Sequence, residues 1–318
     1  VTILSIKKTR DKSCNLRSVR CWSYLFSVRY RYDLQEMSLG VSTVRHLLFL
    51  ENSFSFSRGT ELARIKRKRK KGEDGTDRKS SIITDKNPRE IVMLRGSGCR
   101  YLRCRFCDYH LDSSRNEEEN YRINKEALSK VNGIYHSLEV INSGSFLELD
   151  EKTMEEIRRV CKEKQISQLR FEVHWMYHKH VQKWKDYFKK QGITLKIKMG
   201  VETFDDTFRR EVFDKGMEGV MPEEIAGVAD EVCLLFGISG QTAESMQKDI
   251  ETGLKYFERI CINIMVENTT PIRPDQEVIR LFVEQIYPKY KENQRVDILL
   301  QNTDFGVGGE EKEKEENE

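Results

Sequence analysis

Residues 91–110 read IVMLRGSGCRYLRCRFCDYH. A short apolar run, Ile91 to Leu94, passes through Gly-Ser-Gly into three cysteines, Cys99, Cys104 and Cys107, spaced C-x4-C-x2-C. An apolar run closed by glycine punctuation reads as a strand that delivers a loop at its C-terminal end. Thiolates at this spacing can hold a metal, and Arg100, Arg103 and Arg105 on the same loop are expected to lower the thiol pKa values. Two metal chemistries compete for the sulfurs. With His110 as fourth ligand they would close a tetrahedral zinc site. Alone they would hold three irons of a 4Fe-4S cluster and leave the fourth iron open.

Downstream of this loop, strand and helix patterns alternate. Strands are expected at Leu138–Ile141, Leu169–Val173, Leu195–Val201, Val232–Phe236, Cys261–Val266 and Val296–Leu299. Helices are expected at Asn124–Ile134, Asp150–Lys164, Val181–Lys190, Asp206–Asp214, Ala243–Phe257 and Gln276–Tyr287. Alternation of this kind predicts an α/β chain whose parallel strands are joined by crossover helices. Six or seven β/α units are too few to assume a closed eightfold barrel.

Parallel sheets place their chemistry at the C-terminal strand ends, so the residues there are the candidates. Asn142-Ser143-Gly144-Ser145 is a turn whose backbone can approach a ligand closely. Glu172 and His174 end one strand, Glu202 the next, and Asn263, Glu267 and Asn268 belong to a later one. A carboxylate accepts two hydroxyl hydrogen bonds, which makes Glu172 and Glu202 ribose or substrate candidates. His174, His178 and His180 lack a helical H-E-x-x-H arrangement and read as loop residues rather than as a metal site.

The chain has 318 residues, of which 34% are charged, and a mean hydropathy of -0.65. Of its 55 Lys+Arg and 52 Asp+Glu, 21 and 10 fall in residues 1–90, which leaves 34 and 42 beyond them. The basic excess therefore sits in the leader, and the remainder is net acidic. We read residues 1–60 as a poorly ordered leader, with Met37 or a later position as the true start. Residues 61–87, with the run Arg64 to Lys71, read as a basic linker or helix, 88–308 as the catalytic core and 309–318 as an acidic disordered tail. An acidic core argues against a nucleic-acid partner, which would call for a basic surface around the site. No apolar stretch is long enough to span a bilayer. The eight cysteines do not suggest a secreted disulfide framework, so a cytoplasmic location is expected; Cys161, Cys233 and Cys261 read as ordinary buried thiols.

The C-x-aromatic-C ending formed by Cys104, Phe106 and Cys107 resembles the radical S-adenosylmethionine (SAM) superfamily, although the first gap is one residue longer than that family's usual C-x3-C-x2-C. Asn-Ser-Gly-Ser-Phe-Leu at 142–147, Phe171-Glu172-Val173 and Met199-Gly-Val-Glu-Thr203 follow in the same order, and the likeness covers about residues 88–270. It implies a partial (β/α)6-type barrel. It further implies a 4Fe-4S cluster on Cys99, Cys104 and Cys107, with SAM on the open iron and Phe106 beside the adenosyl group. Ser143, Gly144 and Ser145 would meet the methionyl amine, the Tyr109 backbone adenine, and Glu172 or Glu202 ribose. Reductive cleavage of SAM in this family yields a 5′-deoxyadenosyl radical that abstracts hydrogen from substrate.

Within the superfamily the core is similar to the queuine lyases, which convert the free 7-deazaguanine base queuine to preQ1. It is more distantly similar to the archaeosine-synthase radical-SAM subunits, whose substrate is tRNA. This likeness implies queuine as the small-molecule substrate and a flavodoxin or ferredoxin as reductant; a homodimer is compatible with it. Candidates by chemical type for the base are Asn142, His174, Gln241, Glu267 and Asn268, with Trp175 or Phe236 for stacking. A reading of another class remains beside it, a non-catalytic zinc-stabilised protein that binds nucleic acid through its basic arm.

Overall fold

The computed structural model describes residues 80–300. Residues 1–79, with the leader and the Arg64 to Lys71 run, and residues 301–318, with the acidic tail, lie outside the described residues.

Eight strands form one sheet in chain order. Strand β1 (Ser80–Ile83) pairs antiparallel with β2 (Arg89–Leu94). From β2 onward every pairing is parallel, through β3 (Ser137–Asn142), β4 (Gln168–Glu172), β5 (Thr194–Glu202), β6 (Glu231–Phe236), β7 (Arg259–Ile264) and β8 (Val296–Leu299). The crossovers carry α1 (Glu117–Ser129), α2 (Glu151–Glu163), α3 (His178–Lys189), α4 (Asp206–Glu211), α5 (Pro222–Ala226) and α6 (Ala243–Tyr256). The last crossover holds α7 (Gln276–Leu281), which runs through a π turn at Phe282–Ile286 into α8 (Tyr287–Tyr290). The sheet curls into a partial barrel: in the β1–β2 turn, Lys86 Nζ donates to the carbonyl of Val296 at the start of β8 (2.8 Å). No ladder joins β1 to β8 among the described residues.

The period-2 alternation of a strand sorts its side chains between two environments. Leu138, Val140, Phe171, Ile197, Met199, Val201, Val232, Leu234, Phe236 and Ile262 are excluded from solvent in the main apolar core. Burying each such side chain contributes about 1.5–3 kcal/mol, which fixes which face the helices cover. The alternate positions point into the barrel, and toward the N-terminal strand ends they are charged. Arg89 and Lys198 both bond to Glu139, and Arg170 bonds to Glu231 (3.1 Å) and to Ser137 Oγ (2.6 Å). Arg259 reaches Asp297 (2.9 Å). Buried charge is tolerated here because nearly every ion has an opposite partner.

Four departures from the sequence expectations have local causes. The first crossover helix spans Glu117–Ser129, not Asn124–Ile134, because Asn116 caps it by accepting from the Glu119 N–H (3.2 Å). It stops early because the chain turns at Asn132 and Gly133, whose N–H groups donate to the buried Glu90 carboxylate (2.7 and 2.6 Å). Ser80–Ile83 is an edge strand inside the stretch expected to be linker or helix. Pro222–Ala226 is a short helix with proline in its first turn, and no periodicity announced it. Cys233 and Cys261 lie opposite each other in register on the barrel's inner face and share a hydrogen bond, so they are not core thiols like Cys161. No helix among the described residues is long and apolar enough to cross a membrane.

Candidate functional site

The cysteine loop leaves the C-terminal end of β2, and three other strand ends grip it. From the turn after β3, the buried Glu148 carboxylate accepts from the N–H groups of Arg100 (2.7 Å) and Ser145 (2.7 Å) and from the Tyr177 hydroxyl (3.0 Å). Ser97 N–H donates to the Glu148 carbonyl (3.0 Å). Gly144 makes this approach possible, since a Cβ there would lie 2.1 Å from Glu148 Oε2 and 3.2 Å from the Cys99 nitrogen. From beyond α4, the Phe213 carbonyl accepts from Arg105 N–H (3.0 Å), and the Tyr101 hydroxyl donates to the Asp214 carbonyl (2.9 Å). From beyond β7, Asn268 Nδ2 donates to the Phe106 carbonyl (2.7 Å). Thr269 Oγ1 donates to Asp108 (3.0 Å).

Lys215 lies at the centre of this arrangement. Its side chain is buried, its ammonium is 2.7 Å from Glu202 Oε1 and sits 5.2 Å from the Phe106 ring centroid. Burial works against that charge, but Glu202, Cys104 and Cys107 together raise the pKa of the lysine. The Lys215 carbonyl meets His174 Nε2 (3.0 Å), and His174 stacks on Tyr101 at 4.4 Å. Burial, with Lys215 beside it, lowers the His174 pKa to about 3, so this imidazole is neutral at physiological pH. Non-glycine residues with φ in the left-handed region are uncommon, and Leu102 (56°), Glu202 (68°) and Asp214 (49°) all occur in the segments that build this site. Strain concentrated in this way marks a functional region.

The three cysteines are free and half-buried. Burial pushes the Cys104 thiol up to about 11 and Cys107 up to about 12, against the expectation that the loop arginines lower them. Arg103 pairs with Asp214 (2.7 Å) and Arg105 donates to the Glu211 carbonyl (3.1 Å). The cation that does pull both thiols down is Lys215, helped at Cys107 by a backbone hydrogen bond from Tyr109. Among the described residues no three His, Cys, Asp or Glu side chains form a group that could hold a metal ion. An iron–sulfur cluster takes one thiolate per iron, so its ligands stand apart from one another. Three free thiols on one loop, a glycine cradle at Cys99 and a buried ammonium to offset thiolate charge fit such a cluster.

The remaining candidates fall into two groups. Ser143 Oγ donates to Asp112 (3.1 Å), Ser145 Oγ accepts from the His174 N–H (2.9 Å), and the Gly144 and Ser145 N–H groups are bonded to the Asn142 carbonyl and to Glu148, so the turn offers a ligand its Ser143 and Gly144 carbonyls. Glu202 pairs with Lys215, Phe106 packs edge-on against Phe213, and Tyr109 is exposed. Glu172 points into the barrel and accepts no hydrogen bond among the described residues.

The base candidates are differently placed. Asn142 Nδ2 donates to the Ser145 carbonyl (3.0 Å). Gln241 accepts from Ile238 N–H (3.0 Å) and donates to the Leu235 carbonyl (2.9 Å). Asn268 holds the cysteine loop, Glu267 is exposed near Arg273, and both His174 nitrogens are engaged. Phe236 is sealed in the core against Phe282, which removes it as a stacking surface, and Trp175 stacks on His178. Sequence reasoning passed over Lys215 and Glu148. Neither stands in a motif, and only the fold brings them to the loop.

Among solved structures the chain is similar to "queuine lyase from Clostridium spiroforme bound to SAM and queuine". The TM-score is 0.69 at 43% sequence identity, over 73% of this chain and 99% of that one. No protein-family model and no curated protein matches it.

Proposed function

From a chain that belongs to the radical SAM superfamily, as its similarity to queuine lyase shows, we propose a lyase that cleaves the free 7-deazaguanine base queuine to preQ1 by breaking the bond between the cyclopentenediol and the secondary amine. The observation that carries this reading is a relative matched along 99% of its length at 43% identity, joined to a three-cysteine loop at the mouth of a partial barrel. Cys99, Cys104 and Cys107 would hold a 4Fe-4S cluster. The backbone of Ser143, Gly144 and Ser145 would meet the methionyl part of SAM, Phe106 and Tyr109 the adenosyl part, and Glu202 the ribose. When bound, the cluster and SAM supply one-electron chemistry that removes a hydrogen atom from substrate.

The protein's own contribution is placement and shielding. Lys215 offsets negative charge at Cys104 and Cys107 and fixes the Glu202 carboxylate through their ion pair. Glu148 ties the cysteine loop to the Ser143–Ser145 turn, so that the two halves of a SAM site move as one body. Paired ions close the inner face of the partial barrel at its lower end, and a substrate held above them would be shielded from bulk water on that side. A one-electron donor of the flavodoxin or ferredoxin type would supply the reducing equivalent, and the free thiols suit the reducing cytoplasm.

The acidic balance of residues 91–318 favours a free base over tRNA. Anaerobic incubation of the iron-loaded protein with SAM and a reductant, offering free queuine or queuosine-containing tRNA, tests this choice. Mass spectrometry is expected to find preQ1 only with the free base. Conversion of the tRNA alone would overturn the assignment.

A further inference from the structure

Inside the barrel, the charged side chains answer one another. Arg89 and Lys198 take Glu139, Arg170 takes Glu231, Arg259 takes Asp297 and Lys215 takes Glu202. Glu172 is different. It lies on the inner face of β4 opposite Lys198, whose ammonium is already bonded to Glu139, and it accepts no hydrogen bond among the described residues.

Its surroundings are charged toward β5, with Lys198 and the Glu202–Lys215 pair, and apolar toward β2 and β3. Met93 and Ile141 face each other in register on β2 and β3 and are half-buried, although Val92, Leu94 and Val140 beside them are fully excluded from solvent. Ile141 precedes Glu172 around the curled sheet, since Val140 pairs with Phe171. On the other side, Gly200 stands two residues beyond Lys198, and the place of a side chain there is taken by the Glu202 carboxylate and the Lys215 ammonium. An apolar wall with one unanswered carboxylate is a site for a flat, mostly apolar ring that carries hydrogen-bond donors on one edge.

We propose that Glu172 is a specificity residue for the base: its carboxylate accepts the ring N–H and the exocyclic amino group of the 7-deazaguanine edge, while Met93 and Ile141 lie against the ring. This rests on the lyase reading above and removes Glu172 from the ribose role. A carboxylate and a paired N–H edge match in a two-bond fork, a match that a hypoxanthine-type ring without the amino group cannot complete.

The electrostatics add a signature. Burial raises the Glu172 carboxyl to about 7; Lys198 and Lys215 oppose the shift, and Glu139 and Glu202 reinforce it. The other groups facing it are displaced away from neutrality: Glu139 down to about 2, Lys198, Lys215 and the Cys233 thiol upward. Glu202 is held in its ion pair with Lys215. A carboxyl held at about 7 is half protonated near pH 7, and the N–H edge selects its ionised form.

Equilibrium dialysis of preQ1 against SAM-loaded holoenzyme without reductant reads this directly. Wild type is expected to bind about tenfold more tightly at pH 8 than at pH 6, the change in ionised fraction of a carboxyl titrating at 7. Glu172→Gln is expected to bind at least about tenfold more weakly at pH 8, with no pH slope and with lost preference for preQ1 over its analogue lacking the amino group. Glu172→Asp should keep the slope at reduced affinity, and SAM affinity should not change in either variant. Unchanged preQ1 binding and slope in Glu172→Gln, or a loss confined to SAM, would overturn the assignment and leave the lyase reading standing. Failure of the wild type to bind either preQ1 or queuine would remove both.

Discussion

Lys215 and Glu172 show the two ways in which this fold handles a buried charge. Lys215 is matched by Glu202, and removing one partner of such a pair costs about 3–5 kcal/mol because the other is stranded. Lys215→Met should therefore lower the urea midpoint strongly, and adding Glu202→Gln should restore part of the loss, a coupling that a double-mutant cycle measures. Glu172 is unmatched, and its folded-state pKa of about 7 stands above the ordinary value of 4.5. Between those values the folded chain binds more protons than the unfolded one, so this group lowers stability as pH rises from 4.5 to 7. Thermal melts of the unliganded protein should find Glu172→Gln more stable than wild type at pH 8, with the difference vanishing near pH 4.5. A variant less stable at pH 8 would contradict the unmatched state. A carboxylate that weakens the fold is a candidate for a ligand role, because functional sites trade stability for activity. At this scale the sequence disclosed the cysteines, through their spacing, and the glutamates at the strand ends. It could not disclose that Asn142, Gln241 and Asn268 bond to the protein's own backbone, because a hydrogen-bond partner distant in sequence leaves no local trace.

The cysteine loop is an element without regular structure of its own, and its shape comes from the segments that hold it. Gly216 is the tightest of these contacts: at φ 68° it lies under Tyr101, and a Cβ there would come within 2.5 Å of the ring. Gly216→Ala should shift Tyr101 and with it the start of the C-x4-C gap. Iron incorporation is expected to fall severalfold while far-ultraviolet circular dichroism stays native; full iron loading would show that the loop does not depend on this contact. Helix caps give a control away from the site. Asp150 caps α2 by accepting from Thr153 N–H (2.8 Å), and Asp150→Ala should cost about 1 kcal/mol in urea unfolding without changing iron content. The apolar runs made the parallel strands legible, and Val296–Leu299 lies where the sequence places it. Ser80–Ile83 was not legible, because four residues with two serines at a sheet edge carry no apolar pattern. Cys233 and Cys261 were misread for the opposite reason: in strands covered on both faces the apolar run is nearly continuous, and the period that separates core from lumen is hidden.

Across the whole barrel the two faces of one sheet do different work. The outer face packs the helices, and the inner face joins a paired polar floor to the strand ends that hold the cysteine loop. Glu139 anchors that floor, held down to about 2 by Lys198 and Arg89 against the effect of burial. A depressed carboxyl adds stability above its unfolded value of 4.5 and loses it as pH falls toward 2, so acid unfolding should be steep over that interval. Glu139→Gln should flatten it, as followed by tryptophan fluorescence. The charge division of the chain, basic before residue 90 and acidic after it, fits a small amine-bearing substrate inside the barrel. The central claim is that this barrel uses its cysteine loop to break the carbon–nitrogen bond of a free deazaguanine base. The most direct test is a single anaerobic turnover of iron-loaded protein with SAM, dithionite and queuine, quantified by mass spectrometry. The account predicts preQ1 in the wild type and none when Cys104 is replaced by Ala; intact queuine beside released 5′-deoxyadenosine would contradict it.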